Sequence, residues 1–248
     1  MRHDPNPDPL AGVLIASGMV LVWMLSLGLL LAVDLGQRQW LWVLPAVLGR
    51  TYSQTGLFIL AHDAIHGVIA PGDRRLNHAI GRLAVTLYAL LPYQKLSLNH
   101  WQHHRYPGQA QDPDFHDGTH RSFFLWYWRF MEGYMNGRER AAMLFKIIAI
   151  VLVARFGLHI AIANLALFWF VPIVLSSLQL FFFGTYLPHR SETAGGTHHA
   201  VSSNYPFVIS LLTCYHFGYH WEHHEYPNLP WYSLPSIRRQ QQQHQVNH

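Results

Sequence analysis

The sequence predicts an all-α integral membrane protein. We expect four transmembrane helices in two hairpins and a cytoplasmic or interfacial helical cap that carries clustered histidines. Half of the 248 residues are hydrophobic and only 12% are charged, whereas a typical soluble domain has roughly 25% charged residues. Several apolar runs are also long enough, at about 1.5 Å per helical residue, to cross a hydrocarbon layer of about 30 Å.

Four apolar runs are predicted to cross the bilayer. The second run contains Arg50 and three neighbouring polar residues, which we expect to face the protein interior. Arg155 and His159 interrupt the third run, and Pro172 is expected to kink the fourth. The predicted spans are residues 9–33, 40–60, 143–162 and 165–187.

The segments between and after the hairpins are shorter or more polar. The apolar stretch 83–91 is predicted to be re-entrant or interfacial, and the aromatic-rich segment 105–140 is typical of a membrane interface. The Gln-rich tail 238–248 is predicted to be disordered. Because the length suits one domain, residues 1–248 are predicted to form a single unit.

The distribution of basic residues predicts the orientation in the membrane. Three histidine clusters that share a centre must lie on one side, and two hairpins satisfy this requirement. The loops beside the clusters hold several arginines, whereas the short turn after the first span has Arg38 as its one basic residue. The positive-inside rule therefore places the clusters and both termini in the cytoplasm.

Composition excludes several other functions. The two lysines are Lys95 and Lys146 and the arginines are dispersed, so we expect no nucleic-acid partner despite a formal charge of +4. Cys214 is the single cysteine, which excludes an intrachain disulfide and a cysteine-based metal site. The polar N-terminus and the long first apolar run predict no cleavable signal peptide.

Three histidine clusters indicate a metal centre. Residues at i, i+3 and i+4 of a helix share one face, so each cluster is expected to direct its imidazoles at one point. Imidazole is the commonest metal ligand and is costly to bury without a partner. Eight such ligands are too many for one tetrahedral zinc and suit two metal ions, with iron, zinc, copper and nickel all open. The clusters are His62 and His66; His100, His103 and His104; and His220, His223 and His224.

Further residues are candidates for the same centre. His189, at the end of the fourth span, is predicted to be a ninth ligand. His216 lies one helical turn before His220, where a ligand, a neighbour of a ligand and plain packing are all open. Carboxylates would orient the ligands by accepting the second ring N–H, although solvation or loop capping explains each carboxylate equally well. The candidate carboxylates are Asp63, Asp112, Asp114, Asp117 and Glu222.

The residues that flank the clusters carry a family resemblance. They read His62-Asp-Ala-Ile-His66-Gly67, His100-Trp-Gln-His103-His104-Arg-Tyr-Pro-Gly108 with Asp112-Pro-Asp114-Phe115, Gly184-Thr-Tyr-Leu-Pro-His189-Arg190, Leu211-Leu-Thr-Cys-Tyr-His216-Phe-Gly-Tyr-His220-Trp-Glu-His223-His224 and Pro227-Asn-Leu-Pro-Trp231. The histidine pattern resembles the integral-membrane fatty acid desaturase and hydroxylase superfamily. The flanking residues, above all near His189 and from His216 to Trp231, resemble the bacterial β-carotene ketolases.

The resemblance implies a ligand set and a reaction. It implies two iron ions, O₂ as co-substrate, and electrons from a ferredoxin-type donor with an NAD(P)H-dependent reductase, at the bacterial inner membrane. Ring carbon 4 of a β-ionone ring would be hydroxylated twice and dehydrated to a ketone. β-Carotene would pass through echinenone to canthaxanthin, and zeaxanthin towards astaxanthin. The implied ligands, with no other catalytic residues, are His62, His66, His100, His103, His104, His189, His220, His223 and His224.

Other functions remain open at this stage. A carotenoid ring hydroxylase or a fatty acid desaturase shares the histidine boxes and differs in its product. A histidine-rich membrane metal transporter belongs to another class. It should place its ligands along a path across the bilayer, whereas the clusters here lie at the ends of predicted spans.

Overall fold

Helices form the regular structure of this protein. The computed structural model describes residues 8–36, 40–190 and 197–246, and no β-strand occurs among them. The predicted all-α class is therefore confirmed. The helices are α1 (Pro9–Leu31), α2 (Trp40–His66), α3 (Arg74–Ala89), α4 (Tyr93–Arg105), α5 (Phe123–Gly133), α6 (Gly137–Leu152), α7 (Ile162–Leu165), α8 (Val171–Phe181), α9 (Leu187–His189), α10 (Phe207–Cys214), α11 (His220–Glu225) and α12 (Leu234–Val246).

Wider π-helical turns join several of these helices. A π-helix has an i to i+5 hydrogen bond and commonly occurs as a single turn near functional sites. One such turn follows α6, and two others link α7, α8 and α9 into one long helix from Ile162 to His189. The π turns are Val153–Gly157, Ala166–Phe170 and Phe182–Tyr186.

Two helices are long and apolar enough to cross a membrane by length and composition. They are Pro9–Leu31 and Ile162–His189. Only 11% and 33% of their most apolar windows are buried inside the protein, whereas the core helix of a soluble protein would be mostly buried. These helices support the membrane character that the composition predicts, and the four-span arrangement remains a prediction.

The third predicted span differs from the prediction. Residues 143–162 do not form one helix, because α6 and its π turn end at Gly157 and α7 begins only at Ile162. His159 lies between them with φ at 56°, a left-handed conformation that cannot continue a right-handed helix. The apolar run therefore contains the end of one helix and the turn into the next.

Helix α2 is the centre of the fold. It packs against α1, α3 and α8, and its polar middle faces inward as predicted. The Arg50 guanidinium donates hydrogen bonds to the carbonyl oxygens of Trp23 at 2.8 Å and Phe168 at 3.1 Å. The Gln54 side chain accepts a 2.7 Å bond from the indole N–H of Trp23. These bonds join α1, α2 and the π turn before α8. They help to position α2, the helix that carries His62.

The structure describes two further segments and corrects the prediction for the second. Residues 83–89 are the second half of α3, and Leu90 ends that helix with φ at 58°. The tail from Arg238, predicted to be disordered, is helical through Val246; residues 247 and 248 lie outside the described residues. Glutamine and arginine are good helix formers. Buried Leu234 and a 2.9 Å bond from Arg238 to Glu222 also anchor this helix.

Replacing Gly12 with alanine is expected to destabilise the packing of α1 on the turn after α2. An added Cβ would overlap the backbone carbonyl oxygen of Ile69, which cannot rotate away. Overpacking costs about 1–3 kcal/mol, so the purified variant should melt at a lower temperature. Gly18→Ala is the matched control on the same helix, because nothing lies within 4 Å of its added Cβ. Equal melting temperatures for the two variants would contradict this packing.

Candidate metal centre

Nine buried or half-buried histidines converge in two adjacent groups. Within each group the candidate ligand atoms all lie within 4.8 Å of one another. The groups adjoin, because the rings of His104 and His224, one from each group, stack with centroids 4.3 Å apart. The five-histidine group is His62, His66, His100, His104 and His223, and the four-histidine group is His103, His189, His220 and His224.

The clusters divide between the two groups, contrary to the expectation that each cluster aims at one point. His100 and His104 of α4 enter the five-histidine group, whereas His103 enters the other. In α11, His220 and His224 belong to the four-histidine group, whereas His223 belongs to the five-histidine group. Successive residues of an α-helix are about 100° apart around its axis. Residues i and i+4 therefore point in nearly the same direction. Residue i+3 is rotated from residue i in the opposite sense and points in a different direction.

The facing nitrogens are the Nε2 atoms, at short and similar separations. In the five-histidine group the Nε2 atom of His223 lies 3.1 Å from that of His62 and 2.9 Å from that of His104. The Nε2 atoms of His66 and His100 lie 2.7 Å apart. In the other group, Nε2 of His220 lies 3.0 Å from His189 and 3.1 Å from His224, and Nε2 of His224 lies 3.0 Å from His103.

Hydrogen bonds on the far side of two of the rings leave their Nε2 atoms free to bind a metal ion. The Nδ1–H group of His103 donates to the Asp112 carboxylate at 2.9 Å, and that of His189 donates to the carbonyl oxygen of His199 at 2.8 Å. The Nε2 atom of a neutral ring then carries a lone pair and no hydrogen. Two ring nitrogens about 3 Å apart are stable when one donates its N–H to the other or when a cation lies between them. Two nitrogens about 2.1 Å from one ion, at right angles, are also about 3 Å apart.

Burial favours the neutral form of most of the converging imidazoles; at His103 it is outweighed by the hydrogen bond to Asp112, and the pKa is raised. Burial lowers the pKa of His66 and His100 well below the usual value, and neighbouring imidazoles lower it further because adjacent cations would repel. The same causes lower the pKa of His220, His223 and His224. Neutral imidazole is the form that binds metal ions, so the protonation state fits the proposed role. The all-nitrogen donor set is suited to iron, zinc, copper or nickel.

Two of the candidate carboxylates touch candidate ligand histidines. Asp112 holds His103, and it also accepts the backbone N–H of Gly108 and of Asp114. Asp63 lies 3.3 Å from Nδ1 of His62 and accepts the backbone N–H of Trp231 at 3.1 Å. Both carboxylates thus tie a ring to a distant backbone segment, which fixes the direction in which that ring points.

The other candidates have different partners. The Asp114 carboxylate accepts a 2.9 Å bond from the Tyr134 hydroxyl, and Glu222 pairs with Arg238. Asp117 is a correction, because it bonds His120 and Arg129 at the surface and touches none of the nine histidines. His216 is also outside both groups. Its Nδ1 bonds the Ser210 hydroxyl at 3.1 Å, and its ring stacks on Tyr219 with centroids 5.5 Å apart.

Several functional contacts gave no signal in the sequence. The His199 carbonyl oxygen, which orients His189, is a backbone atom that any residue would supply. Tyr134 lies thirty residues after the second histidine cluster, in the aromatic-rich segment that the sequence predicts to be interfacial. The turn Asp112-Pro-Asp114 was the one available signal, and it also reads as an ordinary turn.

An apolar cavity leads to the centre. Its volume is about 220 Å³, and it lies between α3, α5, α6 and α8. A cavity of roughly 150 Å³ with apolar walls holds a benzene-sized ring, so this one has room for a substituted six-membered ring. A second, smaller space beside it is lined by His62, His100, His103 and His220. The two spaces share four lining residues, which are Phe58, Phe130, Tyr134 and Leu180.

Comparisons with known proteins agree with this centre. Residues 38–246 match the family model described as fatty acid desaturase. The chain is 41% identical to a β-carotene ketolase from a Paracoccus species, over 94% of this chain and 95% of the relative. A second Paracoccus β-carotene ketolase is 43% identical over 77% of each chain. A zeaxanthin 4-ketolase from Chlamydomonas reinhardtii is 35% identical over 96% of this chain and 55% of the relative.

No solved structure has a significant match to this sequence. The family is established by the extent of the sequence matches, which cover most of the chain and most of the two bacterial relatives. The chain therefore belongs to the fatty acid desaturase family and, within it, to the β-carotene ketolases.

Proposed function

We propose that this protein is a membrane-bound, non-haem diiron β-carotene 4-ketolase. It oxidises the ring carbon-4 methylene of β-ionone rings and takes β-carotene through echinenone to canthaxanthin. The observation that carries this proposal is the apolar cavity that ends at two groups of histidines. A desaturase would need an acyl chain in the same cavity and a ring hydroxylase would need carbon 3 at the centre, and the relatives named ketolases favour carbon 4.

The histidines hold the metal ions and the cavity positions the ring. Two iron ions suit the family and the nitrogen donor set. When bound, they activate O₂ to remove hydrogen from the ring carbon. The nine imidazoles fix the ions beside the cavity, and Asp112 and His199 keep two of the rings turned so that Nε2 faces the ion. Apolar walls such as Phe58 and Leu180 exclude water and hold the hydrocarbon ring.

The overall reaction defines what partners must supply. Oxidising one methylene to a ketone by two hydroxylations consumes two O₂, four electrons and four protons, and it releases three waters. The last water leaves when the geminal diol dehydrates. The described part of the chain has no redox-active disulfide, since Cys214 is free and buried. The electrons are assigned to a ferredoxin-type donor with an NAD(P)H-dependent reductase.

Convergence of the histidines supports four crossings. If the helix Ile162–His189 crosses the membrane, an additional crossing must separate it from α4, because Nε2 of His103 and His224 lie 3.0 Å apart. Helix α6 with its π turn occupies the position of that crossing. Helices α1 and α2 form the other hairpin. We place the centre and both termini on the cytoplasmic side of the bacterial inner membrane.

A metal transporter is less well supported. Its ligands would lie along a path through the bilayer, whereas all nine histidines here gather in two adjoining groups at the ends of helices. Two ions side by side in a buried pocket suit chemistry on a bound substrate better than transfer across a membrane.

Product analysis tests the proposal directly. Membranes of bacteria that express the full chain should convert β-carotene to echinenone and then canthaxanthin, measured by chromatography and mass. Zeaxanthin is offered separately and should give astaxanthin, because the relative from Chlamydomonas reinhardtii is named a zeaxanthin 4-ketolase. Ring-3 alcohols or new lipid double bonds as the only products would overturn the ketolase assignment.

Replacing His103 with alanine is expected to abolish ketone formation. The loss removes one donor of the four-histidine group and strands the Asp112 carboxylate. Turnover should fall more than about 100-fold, beyond the effect of losing a residue that only orients a ligand, and bound iron per chain should fall with it.

His78→Ala is the matched control for that variant. The His78 ring is exposed, lies 3.3 Å from the Tyr93 hydroxyl, and belongs to neither group. Its turnover and iron content should match those of the wild type. Substantial turnover by a fully expressed His103→Ala protein would refute the assigned centre.

Topology reporters test the four crossings. A reporter inserted in the turn 158–161 should face outward, and a reporter fused after the last residue should face the cytoplasm. The reason is that α6 and the helix Ile162–His189 must cross in opposite directions for the histidines to meet. Paired fusions with a cytoplasm-specific and an export-specific reporter measure this. A cytoplasmic turn at 158–161 would rule out a crossing by α6.

A further inference from the structure

A single phenol stands where the apolar cavity meets the histidine centre. Tyr134 lines both the large cavity and the smaller space beside His103 and His220. It is buried, with 7% of its surface exposed, and its ring packs against Phe130 with centroids 4.7 Å apart. The Tyr134 side chain therefore lies in the wall that the large cavity shares with the smaller space beside the histidines.

The Tyr134 hydroxyl donates one hydrogen bond and remains able to accept another. It donates to Oδ1 of Asp114 at 2.9 Å. A phenol oxygen that donates its one hydrogen can still accept a bond from another group.

Asp114 holds the phenol in a fixed direction because its own backbone is fixed. Its N–H donates to Oδ1 of Asp112 at 2.9 Å, and its carbonyl oxygen accepts the indole N–H of Trp126 at 2.9 Å. The phenol oxygen is thus oriented by a turn that is bonded at both ends.

The half-oxidised substrate presents a problem that a hydrocarbon does not. After the first hydroxylation the ring bears a hydroxyl at carbon 4, and a hydroxyl without a hydrogen-bond partner is costly in an apolar cavity. The walls of the smaller space include apolar Phe58, Ile65 and Leu180. Apart from the histidines and Asp114, its polar side chains are Tyr134 and Thr185.

We propose that the Tyr134 oxygen accepts a hydrogen bond from the carbon-4 hydroxyl of the half-oxidised ring and holds that carbon at the histidine centre for the second oxidation. The inference rests on the proposed ketolase function and adds a positioning residue to it. It explains how one site carries the same carbon through two oxidations. A pure hydrocarbon gains nothing from this contact, so Tyr134 acts on the second step and not on the first.

The test is Tyr134→Phe in the full-length protein, expressed in bacteria that make β-carotene. The variant keeps the ring and the packing and removes only the hydroxyl. The ratio of 4-hydroxy product to ketone should rise roughly two- to tenfold, the range expected for one neutral hydrogen bond. In membranes, kcat/KM for supplied 4-hydroxy-β-carotene should fall by the same factor relative to kcat/KM for β-carotene.

Tyr127→Phe is the matched control. Tyr127 lines the same cavity, but its hydroxyl bonds Ser177 at 2.8 Å and does not line the space beside the histidines. Its ratio of alcohol to ketone should equal that of the wild type. A ratio raised equally by both variants would overturn the proposal, because any cavity hydroxyl would then serve.

Other results also decide the question. An equal loss of kcat/KM for alcohol and hydrocarbon in Tyr134→Phe would show a merely structural role and overturn the proposal. Accumulation of alcohol in Thr185→Val but not in Tyr134→Phe would assign the contact to Thr185 instead. A wild-type protein that makes no carbon-4 product would refute the ketolase function itself, whereas wild-type ketone with an unchanged Tyr134→Phe ratio refutes only this inference.

Discussion

Convergence of nine imidazoles is the constraint around which the fold is organised. Their Nε2 atoms approach to about 3 Å in both groups, a spacing that suits nitrogens sharing a metal ion about 2.1 Å away. Four separate helical segments must deliver these rings at one depth. The short helices α4 and α11 each serve both groups, because their i, i+4 pairs and their i+3 residues point in different directions.

The support for the centre comes from buried polar contacts far along the chain. Glu222 is fully buried in α11, between histidines of the two groups, and a buried carboxylate is costly without a partner. Arg238 of α12 supplies that partner at 2.9 Å. Helix α12 thus forms part of the scaffold of the site, although its Gln-rich composition is typical of a disordered tail. Truncating it would leave an uncompensated charge beside three ligands.

The sequence predicts the chemistry of the site better than its geometry. Histidine spacing identifies the eight cluster residues, and the position of His189 at the end of an apolar run adds the ninth to the same convergence. The division of each cluster between two groups follows from helical geometry, but it requires knowing that the facing helices offer partners on both sides. The His199 carbonyl contact and the place of Tyr134 depend on how loops fold back, which local pattern does not specify.

The membrane arrangement could be predicted only in part for a related reason. Hydropathy identifies α1 and Ile162–His189, where apolar residues face outward. Helix α2 is not apolar enough by the same measure, and its Arg50 and Gln54 form bonds with α1 that an average over the sequence does not register. The break near His159 is similarly invisible, since a left-handed residue within an apolar run does not alter its mean hydropathy. The argument for the remaining crossings comes from the convergence of the histidines, because segments that meet in three dimensions must end on the same side of the membrane.

The turn Asp112-Pro-Asp114 connects the two functions of the site. Proline restricts the backbone between the two carboxylates, and the Asp112 side chain accepts the N–H of Asp114. One carboxylate bonds the ligand His103, and the other bonds Tyr134 at the wall of the substrate cavity. Any movement of this turn must shift the ligand and the phenol together. The distance between the histidine centre and the cavity wall is therefore set by one rigid element rather than by two independent helices.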